Sequence, residues 1–178
     1  MSLTPWKILE SKYIRPRVRI DTVELPNGKT FQPMVFEYRR WATVFALTEQ
    51  NEVVLIRQYR HGAQNIVWEL PGGIVEDGEE VEAGARRELL EETGYDSSDL
   101  IEIGRVSPNP ASHTNTVYAY FAGRAKFTQE QHLDEAEEIE VHLIPLDEVI
   151  AMAKRGEIPS ALHVAVLFHA LAHMNHIG

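Results

Sequence analysis

Cysteine is absent from the 178 residues, and positive charge is scarce. Without a thiol the chain can form no disulfide framework, no thiolate metal site and no cysteine nucleophile, and this predicts a reducing, cytoplasmic location. Seventeen Lys and Arg against twenty-seven Asp and Glu leave a net charge of −10, which argues against a nucleic-acid partner. A small anionic substrate would have to meet a bound cation or a few well-placed arginines.

Long apolar runs are also missing. No stretch approaches the roughly 20 residues needed to cross a bilayer, and residues 1–7 lack a basic segment followed by a hydrophobic one. We therefore expect neither a membrane partner nor export. With 44% hydrophobic residues, the chain has enough apolar surface for a substantial core.

β-Branched and aromatic residues dominate the first third of the chain. Segments 18–25 and 30–38 flank an Asn-Gly turn signal and predict an N-terminal β-hairpin. Segments 41–47 and 53–59, separated by a polar stretch, predict a second hairpin.

The remainder of the chain mixes helical and strand-like patterns. Segment 80–93 contains good helix formers and is followed by Gly94, where a helix C-terminus favours glycine. Because strands and helices do not alternate regularly, we expect an α+β sandwich with helices outside a mixed sheet. Three further strands and two further helices are predicted, at 101–106, 116–123, 138–145, 146–155 and 160–175.

Acidic residues are concentrated around the first predicted helix, with eight acids and only two arginines between Glu76 and Glu92. Glu91 and Glu92 follow Glu88 by three and four residues, so a helix places the three carboxylates on one face. Such a cluster repels itself unless a divalent cation neutralises it, and Mg²⁺ typically bridges carboxylates to substrate phosphates. A solvated acidic helix face is the alternative interpretation.

The spacing of residues 73–95 favours the metal site. It matches all nine defined positions of the pattern Gly-x5-Glu-x7-Arg-Glu-U-x-Glu-Glu-x-Gly-U, where U is a bulky apolar residue and Tyr95 occupies the last place. This segment resembles the signature of the Nudix hydrolase superfamily. The resemblance implies a Nudix α/β/α sandwich with a mixed sheet, preceded here by an N-terminal antiparallel β region. It also implies an enzyme that hydrolyses pyrophosphate bonds with Mg²⁺, or with Mn²⁺ in its place.

The resemblance assigns roles to several residues. Glu88 and Glu92 would ligate the metal with the backbone carbonyl of Gly72, and Glu91 would ligate it directly or through water. Arg87 would pair with Glu79 and orient the helix and its carboxylates.

Other segments resemble the ADP-ribose pyrophosphatase subgroup. These are the Arg57-Gln-Tyr-Arg60 segment, the run from Glu69 to Gly73, and Pro110, which follows Tyr95 by fifteen residues. By this resemblance Arg60 contacts the diphosphate, which suits the bidentate geometry of a guanidinium, while Glu69 and Pro110 belong to the substrate site. The stretch after Pro110 lacks the acidic residue that many ADP-ribose hydrolases place there, so the substrate is less firmly indicated than the reaction.

An acidic loop supplies candidates for the residue that activates water. The subgroup carries such a glutamate in the loop that corresponds to 133–139, where Glu135 and Glu137 are both candidates. Glu91, on the predicted helix, is a third candidate. A solvated acidic loop is the alternative.

Two regions are expected, an N-terminal β region at 1–40 and the Nudix hydrolase domain at 41–178. By resemblance the first region forms a homodimer and contributes aromatic contacts to the substrate. Trp6 and Tyr38 in the first region and Trp41 and Trp68 in the second are the aromatic candidates, with Trp41 assigned to the substrate site, although each alone is typical of core packing.

The sequence thus predicts hydrolysis of ADP-ribose to AMP and ribose 5-phosphate. Other nucleoside diphosphate sugars are the nearest alternative substrates. A catalytically silent nucleotide sensor is the alternative outside the enzymes, and the complete set of carboxylates favours the enzyme.

Overall fold

The computed structural model describes residues 7–15, 17–135 and 137–176. Trp6, one of the aromatic candidates, lies outside them. The described residues form thirteen strands and three helices in this order: β1 (Lys7–Arg15), β2 (Val18–Glu24), β3 (Thr30–Phe31), β4 (Met34–Phe36), β5 (Trp41–Leu47), β6 (Glu52–Arg60), β7 (Asn65–Glu69), β8 (Gly72–Ile74), α1 (Val81–Thr93), β9 (Tyr95–Asp96), β10 (Asp99–Val106), β11 (Val117–Gly123), β12 (Lys126–Phe127), β13 (Ile139–Pro145), α2 (Leu146–Lys154) and α3 (Ala161–His173).

The chain divides into two units. The first takes in the chain up to Arg39 together with Ser107–Thr116, and the second takes in Arg40–Val106 and Val117–Gly178. In the first unit β2 pairs antiparallel with β1, β3 and β4. The predicted turn between 18–25 and 30–38 is present, with Gly28 at a φ of 78°, whereas β1 was not predicted from the sequence.

A seven-stranded sheet forms the centre of the second unit. Its order is β10-β11-β5-β6-β13, with β7 paired to β6 and β8 paired to β5. The β11 and β5 strands run parallel while the other pairs are antiparallel, so the sheet is mixed.

The hairpin predicted from 41–47 and 53–59 is confirmed as an antiparallel pair of strands. The two strands are neighbours, but they pair only at Leu47↔Val53. Further along, β8 takes the edge of β5 from Trp41 to Thr43, and β7 takes the edge of β6. Because each strand meets another partner, the two diverge after one residue pair.

Alternating side chains of the central strands form two separate cores. Phe45, Leu55 and Ala119 pack with α2 and α3 on one face of the sheet. Their chain neighbours Val44 and Val54 pack with Ala85 and Leu89 of α1 on the other. This period-two division places helices on both faces and confirms the predicted α+β sandwich.

The first helix holds the acidic cluster in a defined place. It ends where Gly94 adopts a φ of 74° and donates its N–H to Leu90 O, as a left-handed C-terminal residue does. Since Ala85 and Leu89 are fully buried against the sheet, the rotation of α1 about its axis is set by packing. No helix among the described residues has the length and apolarity required to cross a membrane.

Candidate active site

A cavity of about 320 Å³ opens beside α1, within the size range of small-molecule sites. Its walls come from β5, β6, β8, α1 and the loop before β13, all in the second unit. The polar lining contains six carboxylates and two arginines: Glu76, Glu88, Glu91, Glu92, Asp134, Glu137, Arg60 and Arg87.

Glu92 is the most buried acid of this cavity, with 4% of its surface exposed. Its Oε2 accepts a hydrogen bond of 2.7 Å from the N–H of Gly72. Burial raises the pKa of Glu92 to about 8, and the neighbouring Glu88 and Glu137 add to the rise while the Gly72 N–H and Arg60 oppose it. The carboxyl therefore lies in a place where negative charge is poorly compensated.

The carboxylate of Glu88 lies directly over the backbone of Gly73. A Cβ at residue 73 would come within 2.4 Å of the Glu88 carboxyl carbon, so glycine leaves room that no other residue could leave. Burial raises the pKa of Glu88, and Arg87 opposes that shift. Gly72, at φ 152°, has the backbone of Ala42 and Thr43 where its Cβ would be. Both glycines thus permit close packing of the loop before α1.

Arg87 connects the acids of the cavity. Its Nε donates to Glu79 at 3.0 Å, while Nη1 donates to Glu88 at 2.8 Å and to Glu91 at 2.9 Å. The hydrogen bond from Arg87 holds the pKa of Glu79 below its usual range. Nη2 also reaches the carbonyl of Ile74 at 3.0 Å, so the arginine ties α1 to the loop that precedes it.

The donor set suits a divalent cation. Three carboxylates lie on one helix face, and two of them, Glu88 and Glu92, have a raised pKa. Oxygen ligands are those that Mg²⁺ and Mn²⁺ prefer. As placed here, no three Asp, Glu or His side chains of the described residues converge closely enough to ligate a metal ion. Arg87 and the Gly72 N–H instead hold these carboxylates, so metal binding would replace part of those contacts.

A second buried network holds Arg60. Its Nε and Nη2 donate to Glu69 at 3.0 and 2.7 Å, and Gln58 Nε2 donates to the same carboxylate at 2.9 Å. Glu69 is 5% exposed and lies behind Arg60 rather than in the cavity lining. In this arrangement Glu69 orients the arginine and Arg60 faces the site.

The acidic loop places its two candidates differently. Glu137 lines the cavity, close enough to raise the pKa of Glu88 and of Glu92. Glu135 is exposed and does not line it. A hydrogen bond of 3.1 Å from the Asp134 N–H to Glu137 Oε2 closes the turn between them.

The aromatic candidates are dispersed. Trp41 lines the cavity, whereas Trp68 packs under Arg57 and against the core beneath α2 and α3. Tyr38 belongs to the first unit, where it packs edge-on to His113. Pro110 belongs to that unit too, in a turn in which the His113 N–H donates to Asn109 O.

Sequence reasoning missed several residues of the site. Gln58, His132 and Asp134 line the cavity. His163 does not line it, but its Nδ1 accepts a hydrogen bond from the Leu70 N–H. The sequence signal for Gln58 was its position beside Arg57 and Arg60 in the same strand. His132 and Asp134 lie in a loop without regular pattern, so no periodicity could single them out.

A comparison with protein families identifies the family of this chain. The model of the NUDIX domain matches residues 37–164, well over half of the chain. The chain therefore belongs to the Nudix family, and it is a Nudix pyrophosphohydrolase of the ADP-ribose pyrophosphatase-like subgroup.

The chain is similar to individual proteins that are named as pyrophosphatases of nucleoside diphosphate sugars. The chain is 31% identical over 143 residues to "ADP-ribose pyrophosphatase" of Bacillus subtilis (strain 168), covering 80% of this chain and 77% of the relative. It is 30% identical over 175 residues to "GDP-mannose pyrophosphatase" of Citrobacter koseri, covering 90% of each. A solved structure described as an ADP compounds hydrolase superposes with a TM-score of 0.86 and 22% identity over 99% of this chain and 100% of that chain, which shows the fold.

Proposed function

We propose that this enzyme hydrolyses ADP-ribose to AMP and ribose 5-phosphate in a Mg²⁺-dependent reaction. The observation that carries the proposal is the cavity in which the buried carboxylates of α1 face Arg60. A diphosphate needs a cation on one side and a guanidinium on the other, and this cavity offers residues for both. The similarity to an ADP-ribose pyrophosphatase supports the choice of substrate.

The carboxylates of Glu88, Glu91 and Glu92, with the carbonyl of Gly72, would hold the cation. When bound, Mg²⁺ supplies charge neutralisation at the diphosphate and makes water more acidic. Arg87 keeps Glu88 and Glu91 in place through its Nη1, and is therefore a positioning residue.

The remaining groups act on the substrate and on water. Arg60, fixed by Glu69, binds the diphosphate and stabilises charge on the departing phosphate. Glu137 accepts a proton from the water that attacks one phosphorus atom, while the bond from that phosphorus to the bridging oxygen breaks. Trp41 offers a flat apolar surface at the cavity wall for the base or the sugar.

A second substrate class has an observation in its favour. The GDP-mannose pyrophosphatase covers 90% of this chain and is nearly as similar as the ADP-ribose enzyme. Both named substrates join a nucleoside diphosphate to a sugar. We therefore include other nucleoside diphosphate sugars as the alternative. A silent sensor is disfavoured because every carboxylate of the Nudix signature at residues 73–95 is present.

A substrate panel tests the proposal. Purified protein with Mg²⁺ should release AMP from ADP-ribose faster than it releases nucleoside monophosphate from GDP-mannose or other nucleoside diphosphate sugars. Faster cleavage of GDP-mannose would move the assignment to the alternative. Absence of hydrolysis across the panel, with binding retained, would favour the sensor.

Glu92→Gln tests the metal role within the same assay. The amide keeps the shape and can still accept the Gly72 N–H, but it removes a negative ligand, so turnover should fall by roughly a hundredfold or more. Thermal unfolding of the metal-free variant should show no loss of stability, because the amide removes a carboxyl whose burial, and to a lesser degree whose acidic neighbours, disfavour its charge. Near wild-type turnover at saturating Mg²⁺ would contradict the assignment.

A further inference from the structure

The loop between β12 and β13 begins attached to the end of α1. The Thr128 N–H and Oγ1 donate to Gly94 O at 2.8 and 3.1 Å. The His132 N–H donates to Glu91 O at 2.8 Å. These bonds satisfy carbonyls that a helix end leaves without partners inside the helix, and they bring the loop to the helix that carries the acidic cluster.

Gln131 connects this helix to the next strand. Its single Nε2 donates to Glu92 O at 2.6 Å and to Ile139 O at 3.2 Å. A side-chain amide nitrogen has two protons, so both are used. Since Glu92 belongs to α1 and Ile139 is the first residue of β13, this one side chain of the loop that carries Glu137 is bonded both to α1 and to the start of β13.

We propose that Gln131 is a positioning residue that holds the loop, and with it Glu137, against the carboxylate face of α1. The proposal rests on the proposed function of Glu137 for its catalytic consequence. Inside the loop, Glu137 is held by its own turn, in which its N–H donates to Asp134 O at 3.0 Å and its Oε2 accepts from the Asp134 N–H. That turn is placed relative to Glu88 and Glu92 by the closure that Gln131 makes.

Three variants separate the donor chemistry from bulk. Gln131→Met keeps the length of the side chain but removes both donated hydrogen bonds. Gln131→Lys restores donors with a longer reach, and a cation near a helix C-terminus is favourable. Gln129→Met is the matched control, because the Gln129 side chain makes no hydrogen bond with the residues that the structure describes, and it lies in the same loop.

Hydrogen–deuterium exchange of the full-length protein without substrate directly tests the clamp, by which we mean the two hydrogen bonds that Gln131 donates to Glu92 O and Ile139 O. Peptides covering residues 131–139 should exchange about tenfold faster in Gln131→Met than in the wild type, because the closed state loses two hydrogen bonds. Gln131→Lys should restore part of the protection, and Gln129→Met should match the wild type. Unchanged exchange in Gln131→Met would overturn the proposal.

Kinetics on the preferred substrate test the positioning role. Gln131→Met should lower kcat about tenfold while KM and the Mg²⁺ half-saturation concentration change less than about threefold, because a misplaced base acts on the transition state. Gln131→Lys should recover part of the rate. A faster-exchanging loop with an unchanged kcat would overturn the positioning role. The exchange result needs no substrate, so failure of the proposed ADP-ribose activity is distinguishable from failure of the clamp.

Discussion

Glu135 and Glu137 are two residues apart in one loop, yet their surroundings differ. Both are exposed, but Glu137 lines the cavity beside Glu88 and Glu92, whereas Glu135 does not line it. From the sequence both were candidates for the base. We propose Glu137 as the base because it lines the cavity, and Glu135 is its matched control.

Replacement of Glu137 by Gln should lower kcat by about a hundredfold, because a general base contributes mainly in the transition state. The apparent Mg²⁺ requirement should change little. Steady-state kinetics across a Mg²⁺ series would measure both, with Glu135→Gln expected to match the wild type. If Glu137→Gln keeps the wild-type rate, the base must be sought among the carboxylates of α1.

His163 links residue chemistry to stability. It is 6% exposed and accepts the Leu70 N–H at Nδ1, 3.1 Å away. Burial lowers its pKa to about 4 from an ordinary value of 6.5, although Glu69 opposes the shift. The imidazole is therefore neutral in the folded protein at pH 7, and its 3.8 Å contact with Glu69 is not an ion pair there.

This lowered pKa predicts how stability depends on pH. Between pH 6.5 and 4 the unfolded chain binds a proton at His163 that the folded chain does not bind. The contribution of neutral His163 to the free energy of unfolding is therefore complete above pH 6.5 and is lost as pH falls towards 4. The loss should approach about 3 kcal/mol in the free energy of unfolding. Urea titrations at several pH values would measure it. His163→Gln should flatten this part of the profile, whereas exposed His176→Gln should retain it.

At the scale of elements, the β8 strand and the first turns of α1 form one unit of the site. Gly73 in β8 pairs with Ala42 of β5, and its missing side chain leaves the space for the Glu88 carboxylate. Gly73 therefore contributes both to the pairing of β8 with β5 and to the position of the Glu88 carboxylate on α1.

Gly73→Ala should separate folding from metal binding. The atoms that the new Cβ meets are the far end of a flexible Glu88 side chain, which can swing aside at small cost to the fold. Displacement of the Glu88 carboxylate should raise the Mg²⁺ half-saturation concentration about tenfold or more, because the residues that surround a metal ligand orient it and so control metal affinity. Calorimetric Mg²⁺ titration and thermal melts would measure both effects. Gly62→Ala is the control, since nothing lies within 4 Å of its added Cβ, and a large loss of melting temperature in Gly73→Ala alone would contradict this account.

At the scale of the whole molecule, assembly stays a prediction. The first unit exposes several large apolar side chains, each 45–60% exposed, at Leu9, Tyr13, Phe31, Met34 and Tyr38. Exposed apolar residues collected in one small unit are typical of an interface. We propose that this unit forms a two-fold homodimer.

Sedimentation at micromolar concentration should show a species of about twice the chain mass. A Leu9→Asp/Met34→Asp double variant should shift it towards monomer, because burying two new carboxylates at an interface is costly. Ile101→Asp introduces a charge at an exposed apolar residue of the second unit and should leave the mass unchanged. A wild-type monomer would refute the dimer and any shared aromatic contacts.

The sequence predicted the local elements well where the pattern was strong. The helix expected at 80–93 is Val81–Thr93, because its apolar residues, the glycine that follows its last turn and the spacing of the Nudix signature all predict the same helix. Strands β7 and β8 were missed, since each is short and the glycines of β8 have no strand propensity. Their pairing with β6 and β5 also explains why the expected hairpin opens.

The sequence by itself determined the family and the arrangement of Glu88, Glu91 and Glu92, because helical periodicity places residues three and four apart on one face. Tertiary structure decided what periodicity cannot specify. The pKa of Glu92 depends on burial and on Glu137 from a distant loop. Gln131 reaches a carbonyl 39 residues away, and His163 meets the Leu70 N–H across 93 residues. Contacts between segments so far apart depend on how the sheet and helices pack, so only the folded chain brings them together.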